Sequence, residues 1–245
     1  MKETNNLLEV KSVTKKYSSG FQLNAQSFTL TKGQVTAFLG PNGAGKSTLF
    51  QLLTGNLDAS TGEIFLKGQK LTPESCTLKR NIGYLPQNIQ LPRWVTGQEI
   101  LNYGASLYQL KNSKEKIASL ISAWDCSSYI NRPLAACSHG MQKRIGLALS
   151  TIHSPDLLIL DEPFSGLDLL HMRTLEHLIL DRAEKGQATI LSTHISSYVA
   201  KLSHEVFVLK LGTIKKLNTW TSEPLLSRIS IIENEFFHDR DLEKK

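Results

Sequence analysis

The stretch QVTAFLGPNGAGKSTLFQLLTG, residues 34–55, constrains this chain more than any other. An apolar run ending at Gly40 reads as a buried strand, and KSTLFQLLTG has helical periodicity that stops at Gly55. Between them GPNGAGKST satisfies the pattern G-x-x-x-x-G-K-[ST]. Strand, glycine-rich loop and helix in that order make a phosphate cradle. Successive backbone N–H groups turn inward toward phosphate oxygens, and the following helix adds its positive end. The candidate nucleotide-binding residues are therefore Gly40, Pro41, Asn42, Gly43, Ala44, Gly45, Lys46, Ser47 and Thr48. Lys46 supplies a mobile positive charge for β- and γ-phosphates, and the Ser47 hydroxyl is placed to ligate Mg2+. A glycine-rich turn that served only the fold would need no lysine here.

A second motif, DLLILDEP, places Asp161 and Glu162 at the carboxyl end of an apolar run. In an open parallel sheet ligands bind beyond the carboxyl ends of the strands, so both carboxylates are expected beside the phosphate loop. Asp161 suits the coordination of Mg2+, and Glu162 suits orienting or deprotonating an attacking water. Without the upstream loop, the plainer reading of solvated acids at a strand end would prevail.

Composition adds bounds rather than identity. The 245 residues suit one α/β domain with an insertion. A hydrophobic content of 40% allows a sizeable core, and no apolar run approaches the ~18–20 residues of a spanning helix. The N-terminus lacks the apolar stretch of a signal peptide, and three scattered cysteines suggest neither disulfides nor a zinc site. An intracellular, reducing compartment is expected. A net charge of +6 favours anionic partners, but no basic run marks a nucleic-acid patch, so none is expected.

Along the chain, residues 7–31 alternate as strands, and TGEIFLKGQ and RNIGYLPQ read as further strands. From about residue 88 to 136 the pattern turns helical, in TGQEILNYGASLYQL and SKEKIASLISAWDC. Trp94 and Leu91, just before it, are either core residues, the reading favoured here, or exposed docking anchors. CSHGMQKRIGLALS reads as a small-residue turn feeding a helix: Ser138 is a candidate cap, Gly140 frees the backbone, and the helix runs from Arg144 onward. The strand–helix rhythm then returns with LLILD, LLHMRTLEHLILDRAEKG, ATILSTH and ISSYVAKLS, and EVFVLKLGTIKKL closes as a hairpin near Gly212. The polar tail, residues 218–245, admits either a docked helix or disorder.

The ordered set GPNGAGKST, YLPQ, CSHGMQKR, LLILDEP, SGLD and STH resembles the ATP-binding subunit of an ABC transporter, over about residues 7–217. The resemblance implies an α/β P-loop NTPase of the ABC ATPase type. Its parts would be a mixed sheet core, an N-terminal antiparallel β portion and an α-helical subdomain inserted at about residues 88–140. An ABC ATPase domain would span residues 1–217, with 218–245 as the tail. The family's site residues carry over one by one. Tyr17 corresponds to an aromatic that stacks on adenine, although a strand-end tyrosine packed on the sheet is the rival reading. Gln87 corresponds to a glutamine that touches Mg2+ and the water, and His194 to a histidine that hydrogen-bonds the γ-phosphate. Asp168 corresponds to a loop that crosses to the partner subunit, with Leu169 where many members carry proline.

Ser138, His139, Gly140 and Met141 correspond to the signature loop, which acts on the partner's ATP. Against the commonest form, L-S-G-G-Q, this loop keeps Ser138 and Gly140 and changes Cys137, His139 and Met141. The serine hydroxyl can donate to a phosphate and the glycine allows close approach, so a working variant is expected, with His139 pointing to solvent. The implied activity is ATP hydrolysis, with ATP and Mg2+ as cofactors and Glu162 and His194 as catalytic residues. Implied partners are a second ATPase subunit, identical or not, and separate transmembrane permease subunits, which would hold this cytoplasmic chain at the cytoplasmic face of the membrane. Export is favoured over import. An ATPase acting on nucleic acid, or a non-catalytic nucleotide-binding module, are the competing classes. One phosphate loop without heptad runs speaks against the first, and intact Lys46, Asp161, Glu162 and His194 against the second.

Overall fold

The computed structural model describes residues 5–18, 20–217 and 223–237. In chain order it opens with β1 (Asn6–Lys16), β2 (Gln22–Thr31), β3 (Val35–Leu39) and α1 (Lys46–Leu53). Next come β4 (Thr61–Leu66), β5 (Gln69–Lys70), α2 (Cys76–Lys79) and β6 (Ile82–Leu85), then α3 (Gly97–Leu107) and α4 (Ser113–Ala123). After α5 (His139–Thr151), β7 (Leu157–Asp161), α6 (Leu169–Glu184), β8 (Ala188–Ser192) and α7 (Ser196–Leu202) alternate. The hairpin β9 (Glu205–Lys210) and β10 (Thr213–Lys216) follows, and α8 (Leu225–Phe237) ends the described chain.

Two sheets result, as the expected α/β fold requires. The first, ordered β2-β1-β4-β5, is antiparallel throughout. The second, ordered β10-β9-β3-β8-β7-β6, is parallel except for the edge strand β10. Strands β3, β7 and β8 are buried at every position. That is why VTAFL, LLILD and ATILS are nearly continuous apolar runs rather than alternating ones. Leu49, Phe50, Leu52 and Leu53 of α1 join one apolar layer with Phe38 of β3 and Leu8, Val10 and Leu30 of the antiparallel sheet. Each such side chain contributes about 1.5–3 kcal/mol on full burial. Gln26 stitches the sheets together: its amide donates to Gly212 O (2.6 Å) and accepts from Ile214 N–H (3.0 Å).

The opposite face of the parallel sheet packs on α3 to α7. Helix α3 starts at a capping box. Thr96 Oγ1 accepts from Glu99 N–H (3.2 Å) while the Glu99 carboxylate accepts from Thr96 N–H (2.7 Å).

Three readings of the sequence are adjusted by the structure. Trp94 is 81% exposed, so it is not core; Leu91 is partly buried against the helical layer. Helix α5 begins at His139 instead of Arg144, because Ser138 caps it and Gly140 is accommodated within the first turn. The part of the tail that is described is a docked helix: α8 packs on α7, with Ile232 buried. The remainder of the tail, residues 218–222 and 238–245, lies outside the described residues.

Candidate functional site

Sheet register decides which residues meet. Parallel neighbours β3, β8, β7 and β6 end together: Phe38 pairs with Ser192, Asp161 with Ser192, and Leu85 with Leu160. The residues just past these ends are the phosphate loop, His194, Glu162 and Gln87, so four separate stretches of chain converge on one edge of the sheet. A cavity of about 500 Å3 opens there, lined by Phe21, residues 42, 43 and 45–48, Gln87 and Glu162.

Within the loop, Gly45 has φ +106° and a Cβ there would lie 2.8 Å from the Phe21 ring, so only glycine fits without moving that ring. The Lys46 ammonium folds back into the loop and donates to Gly40 O (2.6 Å) and Pro41 O (3.1 Å). Burial lowers its pKa from the ordinary lysine value, while Glu162 and Asp161 oppose that shift.

Asp161 is 1% exposed, and both its oxygens are bound. The Ser47 hydroxyl donates to Oδ2 (2.7 Å) and the Ser192 hydroxyl to Oδ1 (2.6 Å). Glu162 adopts φ +50°, an unusual conformation for a side chain of this size, which costs about 1–3 kcal/mol. Its N–H donates to Ser192 Oγ (2.9 Å), and its carboxylate lies 3.0 Å from Nδ1 of the exposed His194 ring.

The residues around Ser138 do not line this cavity. The Ser138 hydroxyl accepts from Met141 N–H (3.3 Å), and the Met141 sulfur accepts from Ser138 N–H (3.4 Å). Methionine thus fills the third-position role that glutamate or glutamine usually has in a capping box. Gly140 lies so close to the loop after Glu162 that a Cβ would stand 2.6 Å from Gly166 O. His139 is exposed, with its ring edge near Gly166. Asp168 caps α6, accepting from His171 N–H (3.0 Å), and this bond with the ring contact holds its carboxyl below the usual range. The His171 ring spans from Asp168 Oδ1 (2.7 Å) to Arg144 Nη1 (2.8 Å), linking α6 to α5.

The structure therefore brings Lys46, Ser47, Thr48, Gln87, Asp161, Glu162 and His194 together. Ser138, His139, Gly140, Met141 and Asp168 are not among the residues lining that cavity. Tyr17 is not among the residues lining the cavity; its ring is tilted against Phe21 at a centroid distance of 6.1 Å. Phe21 is the aromatic that reaches the loop, and sequence reasoning missed it. Its position just after the SSG turn is the signal the sequence offers; its approach to Gly45 appears only in the fold.

A family model described as ABC transporter matches residues 23–165. The chain is 34% identical over 209 residues to the uncharacterized ABC transporter ATP-binding protein YhcH of Bacillus subtilis (strain 168), covering 85% of this chain and 68% of that protein. It is 32% identical over 190 residues to the probable multidrug ABC transporter ATP-binding protein YbhF of Escherichia coli (strain K12). That match covers 77% of this chain but only 33% of the relative. A solved structure described as the ATP binding subunit of an ABC transporter superposes with a TM-score of 0.80 at 28% identity, over 86% of this chain and 90% of that one. The chain belongs to the ABC transporter family. Within it, the chain is an ATP-binding subunit, an ATPase with the P-loop NTPase fold.

Proposed function

We propose that this subunit hydrolyses Mg-ATP at the cavity beside the phosphate loop and drives a transporter through separate membrane-spanning subunits, in the direction of export. The observation that carries the reading is the convergence of Lys46, Ser47, Gln87 and Glu162 on one cavity, with Asp161 bonded to Ser47 behind it. Loop N–H groups and Lys46 bind the β- and γ-phosphates, and Phe21 and Tyr17 offer aromatic faces for the base. Ser47 Oγ, Asp161 and Gln87 supply hard oxygen donors that suit Mg2+, and the ion when bound offsets phosphate charge. Glu162 orients the attacking water and accepts its proton, while His194 steadies the Glu162 carboxylate and hydrogen-bonds the γ-phosphate.

The cavity surrounds a nucleotide from one side only. Charge that develops during phosphoryl transfer needs donors on the other side as well. The capped N-terminus of α5, with the Ser138 hydroxyl and Gly140, is the element suited to supply them from a second cassette subunit. Asp168 and the exposed Leu169 and Leu170 lie beside that face.

For the permease, the fitting surface is a cleft of about 410 Å3 between the end of β6 and α3, lined in part by Tyr84, Pro86, Ile89 and Leu91. Tyr103 and Leu107 at its edge are 67% and 53% exposed, and Trp94 is a further exposed anchor before α3. Such apolar exposure on a helical insertion at residues 88–140 suits docking of a membrane partner at the cytoplasmic face. No described helix is long and apolar enough to cross a membrane itself. Export is supported by the segment VTGQEIL, by Gly140-Met141, and by the multidrug description of the Escherichia coli relative.

Sedimentation of the purified chain with ATP and a chelator, which blocks hydrolysis, tests the two-sided site. The expected result is twice the monomer mass with ATP and the monomer without it. A monomer at saturating ATP would remove the homodimeric form of the proposal.

A further inference from the structure

Lys143 lies just past the first turn of α5 and is 0% exposed. A lysine on a mixed helix is ordinarily solvated, yet this one runs inward and its Nζ donates to Glu162 O at 2.6 Å. Among the described residues this is its one hydrogen bond. Burial depresses its pKa from the usual lysine value, with Glu162 and Asp161 acting in the opposite sense. An ammonium in such a place is far more costly than a methionine of similar length, so packing alone does not account for it.

What Lys143 touches does. Glu162 sits at φ +50°, and each of its functional groups is held separately: the N–H by Ser192, the carboxylate by His194, the carbonyl by Lys143. Without the lysine, that carbonyl keeps only the Ser165 N–H at 3.4 Å, a poor bond. The backbone of Glu162 would then be free to relax from φ +50°, and a turn about its N–Cα bond re-aims the Cβ that carries the carboxylate.

We propose that Lys143 is a positioning residue for Glu162, clamping its carbonyl so that the carboxylate stays aimed at His194 and the phosphate cavity. The inference rests on the reading of Glu162 as the general base. It also gives α5 two duties: Ser138 at its N-terminus faces a partner's nucleotide, and Lys143 one turn further in anchors this chain's own carboxylate.

The test compares Lys143→Met, which keeps the length and loses the donor, with Lys143→Gln, which keeps a donor on a slightly shorter side chain. Phosphate release and fluorescent-ATP binding are measured on the purified full chain, with Glu162→Gln alongside. The expected result is a kcat at least tenfold lower for Lys143→Met, two- to fivefold lower for Lys143→Gln, and ATP affinity within twofold for both. Wild-type kcat in Lys143→Met, or a fall in kcat matched by a fall in affinity, overturns the proposal. If Lys143→Met does not fold, Lys143→Gln decides by the same rule. Should Glu162→Gln hydrolyse at the wild-type rate, it is the general-base reading that fails. If that variant is inactive while the Lys143 variants are not, only the clamp fails.

Discussion

Replacing Gly140 by alanine perturbs the contact between the N-terminus of α5 and the loop that follows Glu162. The added Cβ would stand 2.6 Å from Gly166 O, whereas a relaxed carbon–oxygen contact is about 3.4 Å, so roughly 0.8 Å must be found. Neither partner yields easily. Gly166 O belongs to backbone with φ +77°, and α5 is pinned nearby by the Lys143 and Arg144 bonds to Glu162 O and His171. Overpacking of this kind costs about 1–3 kcal/mol, which for a domain of this size lowers Tm by about 2–12 °C. The same displacement shifts the Ser138 cap and the Asp168 loop relative to each other, so turnover should fall more steeply than stability. Calorimetry of Gly140→Ala, with phosphate release and ATP binding on the same sample, is the assay. ATP affinity should stay within about twofold, because the phosphate loop does not touch Gly140. Wild-type Tm together with wild-type turnover would refute the reasoning that this close approach is structurally required.

Other perturbations test separate parts of the molecule. Phe21→Ala removes the ring that covers Gly45, and should weaken ATP binding about three- to tenfold in a fluorescence titration, with kcat little changed. An unchanged affinity would exclude Phe21 from the nucleotide site. His153 stacks on Tyr108 at 3.8 Å, and burial lowers its pKa to about 4. Its neutral form is therefore favoured in the folded chain, and the unfolded chain takes up a proton first, near pH 6.5. Its contribution to stability should thus be present above pH 6.5 and be lost as pH falls toward about 4. In urea titrations, His153→Gln should flatten that part of the pH profile; an identical slope in both proteins would contradict the assignment.

What could be read from residues alone follows from the range of the interactions involved. The phosphate loop, the strands VTAFL, LLILD and ATILS, and the α/β class are set by local spacing and apolar runs, which sequence displays directly. Ser138 reads as a cap in the sequence, but Gly140 reads as a turn residue and delays the expected helix to Arg144; the helix starts at His139 because the Ser138–Met141 cap, with its sulfur acceptor, outweighs that glycine. Trp94 was read as core because aromatics usually are, and nothing local distinguishes a tryptophan that the fold leaves exposed. The burial of Lys143 has no sequence signal: it arises only when the segment after β7 and α5 come together, at a separation no periodic pattern reports. Phe21 likewise gains its place from β2 folding against the loop after β3.

The measurement that bears most directly on the account is the rate of phosphate release from ATP by the Glu162→Gln variant, with ATP affinity determined in parallel. The side chain keeps its size and the backbone anchors at Ser192 and Lys143 are untouched, so the change is confined to the carboxylate's charge and basicity, including its contact with His194. The account predicts a fall of about a hundredfold or more, as loss of a general base entails, with ATP bound within about threefold of the wild-type affinity. Hydrolysis within about threefold of wild type would contradict it.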